Sequence, residues 1–296
     1  SLGVTHFIFI DNGSTDQSYS KISKYTKTHN ILVYYTEDSY KENNFGLIWV
    51  NRVLRNYKNN WFLVVDMDEI IVLKNNQTLS EVREKMSTNK NNIANFILID
   101  FYPIEAISDH NDLSNLDPFK ITSYYDKFIK LQKNGCFKYL KIKNIADHPF
   151  CAYGGFRERV YDKDKKLKKT YFLSKKSFFK YDFGKYYEIS VGYHWIRRRN
   201  KTIFKLFSEK IFHRLFRRKL KFTNEMYIIC HFKYFKKNYE NFINYRIDRN
   251  QDWDNSAEYK TYKSISREFS VFFDSQITKK FSNVNELYAD TVDLIG

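Results

Sequence analysis

The sequence predicts an α/β fold: a mostly parallel, Rossmann-type sheet covered by helices, with a basic helical extension at the C-terminal end. Two observations carry this. Strand-like and helix-like periods alternate from His6 to Val65, and two acidic turns, at Asp11 and Asp66, fall at the carboxyl ends of apolar runs. In sheets of this kind ligands bind beyond the carboxyl ends of the strands, so both turns are expected on one edge.

The elements follow in order. His6 to Ile10 reads as a buried strand, Asp11 to Asp16 as a turn, and Gln17 to Thr28 as a helix with Ile22 and Tyr25 inward. Ile31 to Tyr35 is the next strand. Phe45 to Tyr57 carries apolar residues at 47, 50, 54 and 57, a helical spacing, and Trp61 to Val65 is an apolar run stopped by acids. Leu79 to Met86 predicts a helix and Ile93 to Phe101 a strand ending at Asp100. From about Ser108 to Lys185 short strands and loops are expected, with Gly154-Gly155 marking a tight backbone site. Tyr239 to Asp248 and Ser266 to Phe281 read as further helices. Residues 1–195 are thus expected to form one catalytic domain and residues 196–296 a mainly helical, basic region.

Composition narrows the class. With 296 residues, 43% hydrophobic, the chain has ample material for a core, and 3 Pro and 9 Gly argue against a disordered or fibrous chain. Cys136, Cys151 and Cys230 are too scattered for a disulfide framework and form no Cys-x-x-Cys pair, so a reducing, cytoplasmic setting is the simpler reading. No run reaches the length and apolarity of a membrane span. The chain opens at Ser1 inside a running fold, so a leader or anchor upstream is compatible with it.

A formal charge of +16 attracts anions of any kind, and part of it is equally read as a compositional bias toward Lys, Asn, Tyr and Phe. It concentrates from Arg197 to Lys221, where Glu209 is the single acid and Ile203, Phe204, Phe207, Ile211, Leu215 and Phe216 share one helical face. Such a helix either lies on an anionic membrane surface, on the inner face of the cytoplasmic membrane, or packs on the catalytic domain by its aromatic face. Nucleic-acid binding lacks an accompanying module.

The chemistry-bearing residues begin with Asp66-Met67-Asp68-Glu69. At a strand end, period-2 geometry turns Asp66 and Asp68 to one side and Met67 to the other. Two carboxylates so placed can share Mn²⁺ or Mg²⁺ and bridge it to the phosphates of a nucleoside diphosphate, although an ordinary acidic strand end has the same spelling. The second element runs from Phe7 to Asp16: a strand entering Asp11-Asn12-Gly13-Ser14-Thr15-Asp16, where Asp and Asn accept hydrogen bonds and Gly permits close backbone approach.

Together these two motifs resemble the family 2-type glycosyltransferases of the GT-A fold, in particular the bacterial branch with Asp-Asn-x-Ser-x-Asp and Asp-x-Asp-Glu. Later segments fit the same order: Asp100-Phe101-Tyr102-Pro103, Gly154 to Val160, Leu173-Ser174-Lys175, Gly192-Tyr193-His194 and His231 to Tyr234. The resemblance implies a metal-dependent transfer, inverting at the anomeric carbon, from a nucleotide-sugar donor to a surface glycan or lipid-linked acceptor such as lipopolysaccharide or capsule. It implies contact of Asp11 with the nucleoside, of Asp66 with ribose or metal, and of Asp68 with the metal. Members of this group open with an earlier strand lining the base pocket, and this chain starts just before the second one.

The remaining assignments keep their alternatives. Asn12 belongs with Asp11 on the donor side. Asp100 and Glu158 are candidates for the base that takes the acceptor proton, against a strand-end cap for the first and a surface salt bridge for the second. His194 and His231 are candidate metal ligands or packed histidines. Arg157, Arg159 and Lys175 would neutralise a diphosphate, or be solvated charges. A catalytically inactive GT-A-fold protein that binds a glycan or an anionic surface is the rival from another class.

Overall fold

The computed structural model describes residues 2–103, 117–127, 129–133, 150–161, 171–184, 187–190, 195–198, 220–232, 239–250, 256, 259–261, 263 and 276–292. Strand β1 (His6–Asp11) enters helix α1 (Ser18–Tyr25), and β2 (Asn30–Tyr35) enters helix α2 (Leu47–Asn56). Next come β3 (Trp61–Leu63), β4 (Glu69–Val72), α3 (Leu79–Thr88) and β5 (Ile93–Asp100). A short helix α4 (Pro118–Ile121) precedes β6 (Tyr124–Asp126), β7 (Lys130–Lys133) and β8 (Phe150–Tyr153). Helix α5 (Gly155–Tyr161) leads to β9 (Ser174–Lys175), β10 (Phe178–Lys180), β11 (Tyr187–Ser190) and β12 (Trp195–Arg198). Strand β13 (Phe222–His231), helix α6 (Tyr239–Arg249), β14 (Thr278–Lys280) and helix α7 (Val284–Thr291) follow.

The α/β class holds, but the sheet is mixed. Its strand order is β3-β10-β5-β13-β4, with β9 also on β5, and only β5 and β13 run parallel within it. The parallel pair β1-β2 forms a separate two-stranded sheet. Local periodicity identifies strands but not their partners, and here β5 takes a neighbour from more than a hundred residues away. All eight residues of β5 are buried, as a central strand requires. Its one polar interior side chain, Asn95, accepts from Lys176 Nζ at 2.7 Å and donates to Thr223 O at 2.6 Å.

From beyond residue 195, β13 lies between β5 and β4 in this sheet, and α7 packs Leu287 and Tyr288 into the same core. Most of the predicted basic helix, 199–219, lies outside the described residues, and Arg197 and Arg198 are strand. Of the predicted helix from Ser266 to Phe281, residues 266–275 lie outside the described residues and Thr278–Lys280 form strand β14. Tyr25, expected inward, is exposed, and α1 has no buried residue. Helix α2 starts at Leu47 rather than Phe45, because Asn44, Phe45 and Gly46 all have left-handed φ, from 53° to 78°. Cys151 and Cys230 are buried thiols, and Cys136 lies outside the described residues. No helix among the described residues is long and apolar enough to cross a membrane.

One topological fact positions the site. Strands β3 and β4 stand at opposite ends of the sheet order, yet only residues 64–68 separate them in the chain. Five residues that also make a tight turn cannot cross a flat sheet four strand spacings wide, roughly 19 Å. The sheet therefore curls, and the acidic connection closes it. Alternation at the strand ends then sorts the side chains: Asp100 and His231 face this connection, while Phe101 and Phe232 turn inward with ring centroids 5.1 Å apart. Phe119, Tyr125 and Phe281 surround Phe101 at 5.4 to 5.6 Å.

Phe101 is fully buried in this aromatic cluster, so Phe101→Ala should lower stability by about 3–5 kcal/mol, read as a reduced urea midpoint with an unchanged slope.

Candidate functional site

Asp66 to Glu69 is a turn rather than a strand end, closed by the Glu69 amide donating to Asp66 O at 3.1 Å. Strand β3 ends at Leu63, and one further bond in the same register, Val64 N donating to Ser177 O at 2.8 Å, precedes the turn. Met67 points to solvent, 86% exposed. The two aspartates do not share one direction. Asp66 Oδ2 pairs with Lys175 Nζ at 3.1 Å, while Asp68 Oδ2 faces His231 Nε2 at 3.7 Å. Lys175 also contacts Glu69 Oε1, and Glu69 Oε2 accepts from the Asp66 amide at 3.1 Å.

Strand register arranges the rest. Glu69 on β4 lies opposite His231 on β13, and His231 lies opposite Asp100 on β5. Three ionisable residues thus form a row across adjacent strands, with Asp100 and His231 at carboxyl ends. His231 Nδ1 and Asp100 Oδ1 are 2.6 Å apart, and Asp100 Oδ2 accepts from Arg157 Nε at 2.8 Å. An ionised carboxylate only accepts, so Nδ1 carries the proton. In the neutral ring Nε2 is then an acceptor directed at another acceptor, Asp68. A proton or a metal ion between them would be shared by both.

Burial alone would raise the Asp100 pKa, but the Arg157 guanidinium and His231 reverse this and hold it at about 2. Both its oxygens are engaged and it is 4% exposed, so Asp100 orients His231 and is unsuited to receiving an acceptor proton. Burial opposes the charge of Lys175 as well, yet Asp66 and Glu69 outweigh it and raise the lysine pKa.

The three cations assigned to a diphosphate are each committed elsewhere. Arg157 holds Asp100, and Lys175 holds Asp66 and Glu69. Arg159 binds Asp126 through two nitrogens at 2.8 and 2.9 Å and donates to Tyr102 Oη at 3.2 Å. Largely buried cations require partners of this kind, and withdrawing one would strand a buried carboxylate. Glu158 pairs with the exposed Lys130 at 2.5 Å. His194 lies outside the described residues.

Asp11 and Asn12 sit on the separate β1-β2 sheet. Asn12 Nδ2 donates to Thr36 O at 3.1 Å and Asp38 O at 3.0 Å, tying the turn to the end of β2. Asp11 Oδ1 accepts from Ser14 N at 3.1 Å, whereas its Oδ2 is buried with no hydrogen-bond partner. A buried carboxylate oxygen of that kind is costly unless a ligand donates to it.

No group of three or more His, Cys, Asp or Glu side chains among the described residues is arranged to hold a metal ion. Asp68 and His231 could supply two ligands to a cation, and Asp66 is not in that pair. The residues that sequence reasoning left without a role are Glu69, part of the acidic motif, and Asp126, hidden in Tyr124-Tyr125-Asp126.

Because the Asp100 pKa is lowered on folding, the unfolded chain takes up this proton first as pH falls. Its contribution, about 2–3 kcal/mol, should be complete above about pH 4 and lost toward pH 2. Urea unfolding between pH 5 and pH 2 should show a flatter acid limb in Asp100→Asn than in the parent chain.

Comparison of the chain with protein-family models, with curated proteins and with solved structures yields no significant match.

Proposed function

We propose that the chain is a metal-dependent glycosyltransferase that moves a sugar from a nucleotide donor to a glycan or lipid-linked glycan acceptor. The supporting observation is the Asp68–His231 pair: two acceptors 3.7 Å apart, the imidazole fixed from behind by Asp100. Metal-bound histidines are oriented by a carboxylate in this way. Asp68 and His231 would hold Mn²⁺ or Mg²⁺, which when bound would neutralise the diphosphate leaving group. Asp100 keeps the Nδ1 tautomer, Arg157 keeps Asp100 ionised, and the buried Asp11 Oδ2 offers an acceptor to a nucleoside N–H or O–H. Glu158 is the remaining candidate for the base, and it would act once Lys130 releases it. A surface glycan acceptor and peripheral attachment to an anionic membrane are proposed from the basic run between Arg197 and Lys221.

One observation favours the second reading, a catalytically inactive GT-A-like binder of glycans or anionic surfaces. Asp66 is already neutralised by Lys175, so part of the acidic turn needs no external cation. The two readings part in one assay. The transferase should hydrolyse or transfer at least one sugar from a UDP-, GDP- or CMP-sugar panel with Mn²⁺, and Asp68→Ala should abolish this. The binder should show neither turnover nor Mn²⁺-dependent stabilisation.

In the transferase, Mn²⁺ with the matching donor at 100 times its Kd should stabilise the fold by about 2.7 kcal/mol in thermal unfolding. Asp100→Asn should weaken Mn²⁺ binding by about 10- to 100-fold, measured from the electron paramagnetic resonance of the free ion.

A further inference from the structure

We propose that Lys175 is a positioning residue, a built-in cation that latches the curled sheet shut and sets the acidic turn in shape before any ligand arrives. This rests on reading that turn as the donor site, but its physical content is separate. Lys175 lies on β9, opposite Phe96 of β5, and is 3% exposed. From there its ammonium reaches Asp66 at 3.1 Å and Glu69, the first residue of β4. It thereby joins β9, paired on the middle strand β5, to β4 at the end of the order, past the intervening β13.

Three acids within four residues repel one another, and Glu69 is buried, so the turn lacks a stable shape without a countercharge. Lys175 supplies it from one side. On the other, Phe232 N donates to Asp68 O at 2.8 Å and pins the turn to the end of β13. Glu69 in turn pairs across the ladder with His231. Displacing Glu69 therefore displaces the strand start that sets the Asp68–His231 spacing. A lysine recruited to donor phosphates would abandon a buried carboxylate, which argues for a fixed tie and against a substrate ligand.

The test uses the full chain in chelator, comparing Lys175→Met with Lys175→Met/Glu69→Gln. In the single variant the melting temperature should fall by about 10 °C, since an unpaired carboxylate is left buried. Amide exchange over residues 64–69 should rise by at least about tenfold relative to β5 and α3, a local effect that general destabilisation does not produce. Removing the stranded charge in the double variant should recover more than half of the lost melting temperature, because Asp66 is half exposed and solvent screens it. A single variant that fails to fold beside a double variant that folds is the same recovery. A double variant no better than the single, or exchange that rises uniformly, overturns the latch. Mn²⁺ binding by the parent chain without this coupling sinks the latch alone. Coupling without Mn²⁺ binding sinks the donor-site reading and leaves the latch standing.

Discussion

A five-residue acidic connection joins the two end strands of one sheet, and the rest of the molecule is arranged around that closure. Such a link is too short for an open sheet, so the strands between β3 and β4 must curl. Curling brings the carboxyl ends of β5 and β13 beneath the connection and carries Asp100 and His231 with them. It also concentrates four carboxylates, Asp66, Asp68, Glu69 and Asp100, in a small volume. Among the described residues, Lys175 and Arg157 pair with carboxylates of that cluster.

This balance shapes the chemistry. Pairs of buried opposite charges contribute little net stability over apolar packing, but breaking one is costly because the survivor stays buried. The Lys175–Glu69 and Arg157–Asp100 contacts therefore act more as constraints on geometry than as sources of stability. In the proposed transferase, Asp68 and His231, 3.7 Å apart, are the pair that would share an added positive charge. The proposed transferase and the proposed binder differ in whether that charge is a working metal ion, and the acidic turn is built alike for both.

The aromatic cluster behind the row explains how the site residues are held. Phe101 and Phe232 each follow a site residue directly and share the interior with Phe119, Tyr125 and Phe281. One residue faces the cleft and the next fills the core, so register errors in either strand would expose a ring and bury a charge. On α5, Arg157 and Arg159 are two positions apart and reach Asp100 and Asp126, fastening that helix to the sheet. Stacking of Tyr102 on Phe156, at 4.2 Å between ring centroids, backs the same contact.

Much of the secondary structure is legible in the sequence. The apolar runs named the strands, the spacing at 47 and 54 named the buried face of α2, and the acids at 66, 68 and 100 with His231 were singled out as site candidates. The strand and helix readings hold because side-chain period is a local property, written in consecutive residues. Tertiary structure decided the rest: that β13 inserts beside β5, that the acidic segment is a turn closing a curl, and that Lys175, Arg157 and Arg159 face inward. Strand pairing and charge pairing join residues far apart in the chain, and a charged side chain reads the same whether solvent or a buried carboxylate will neutralise it.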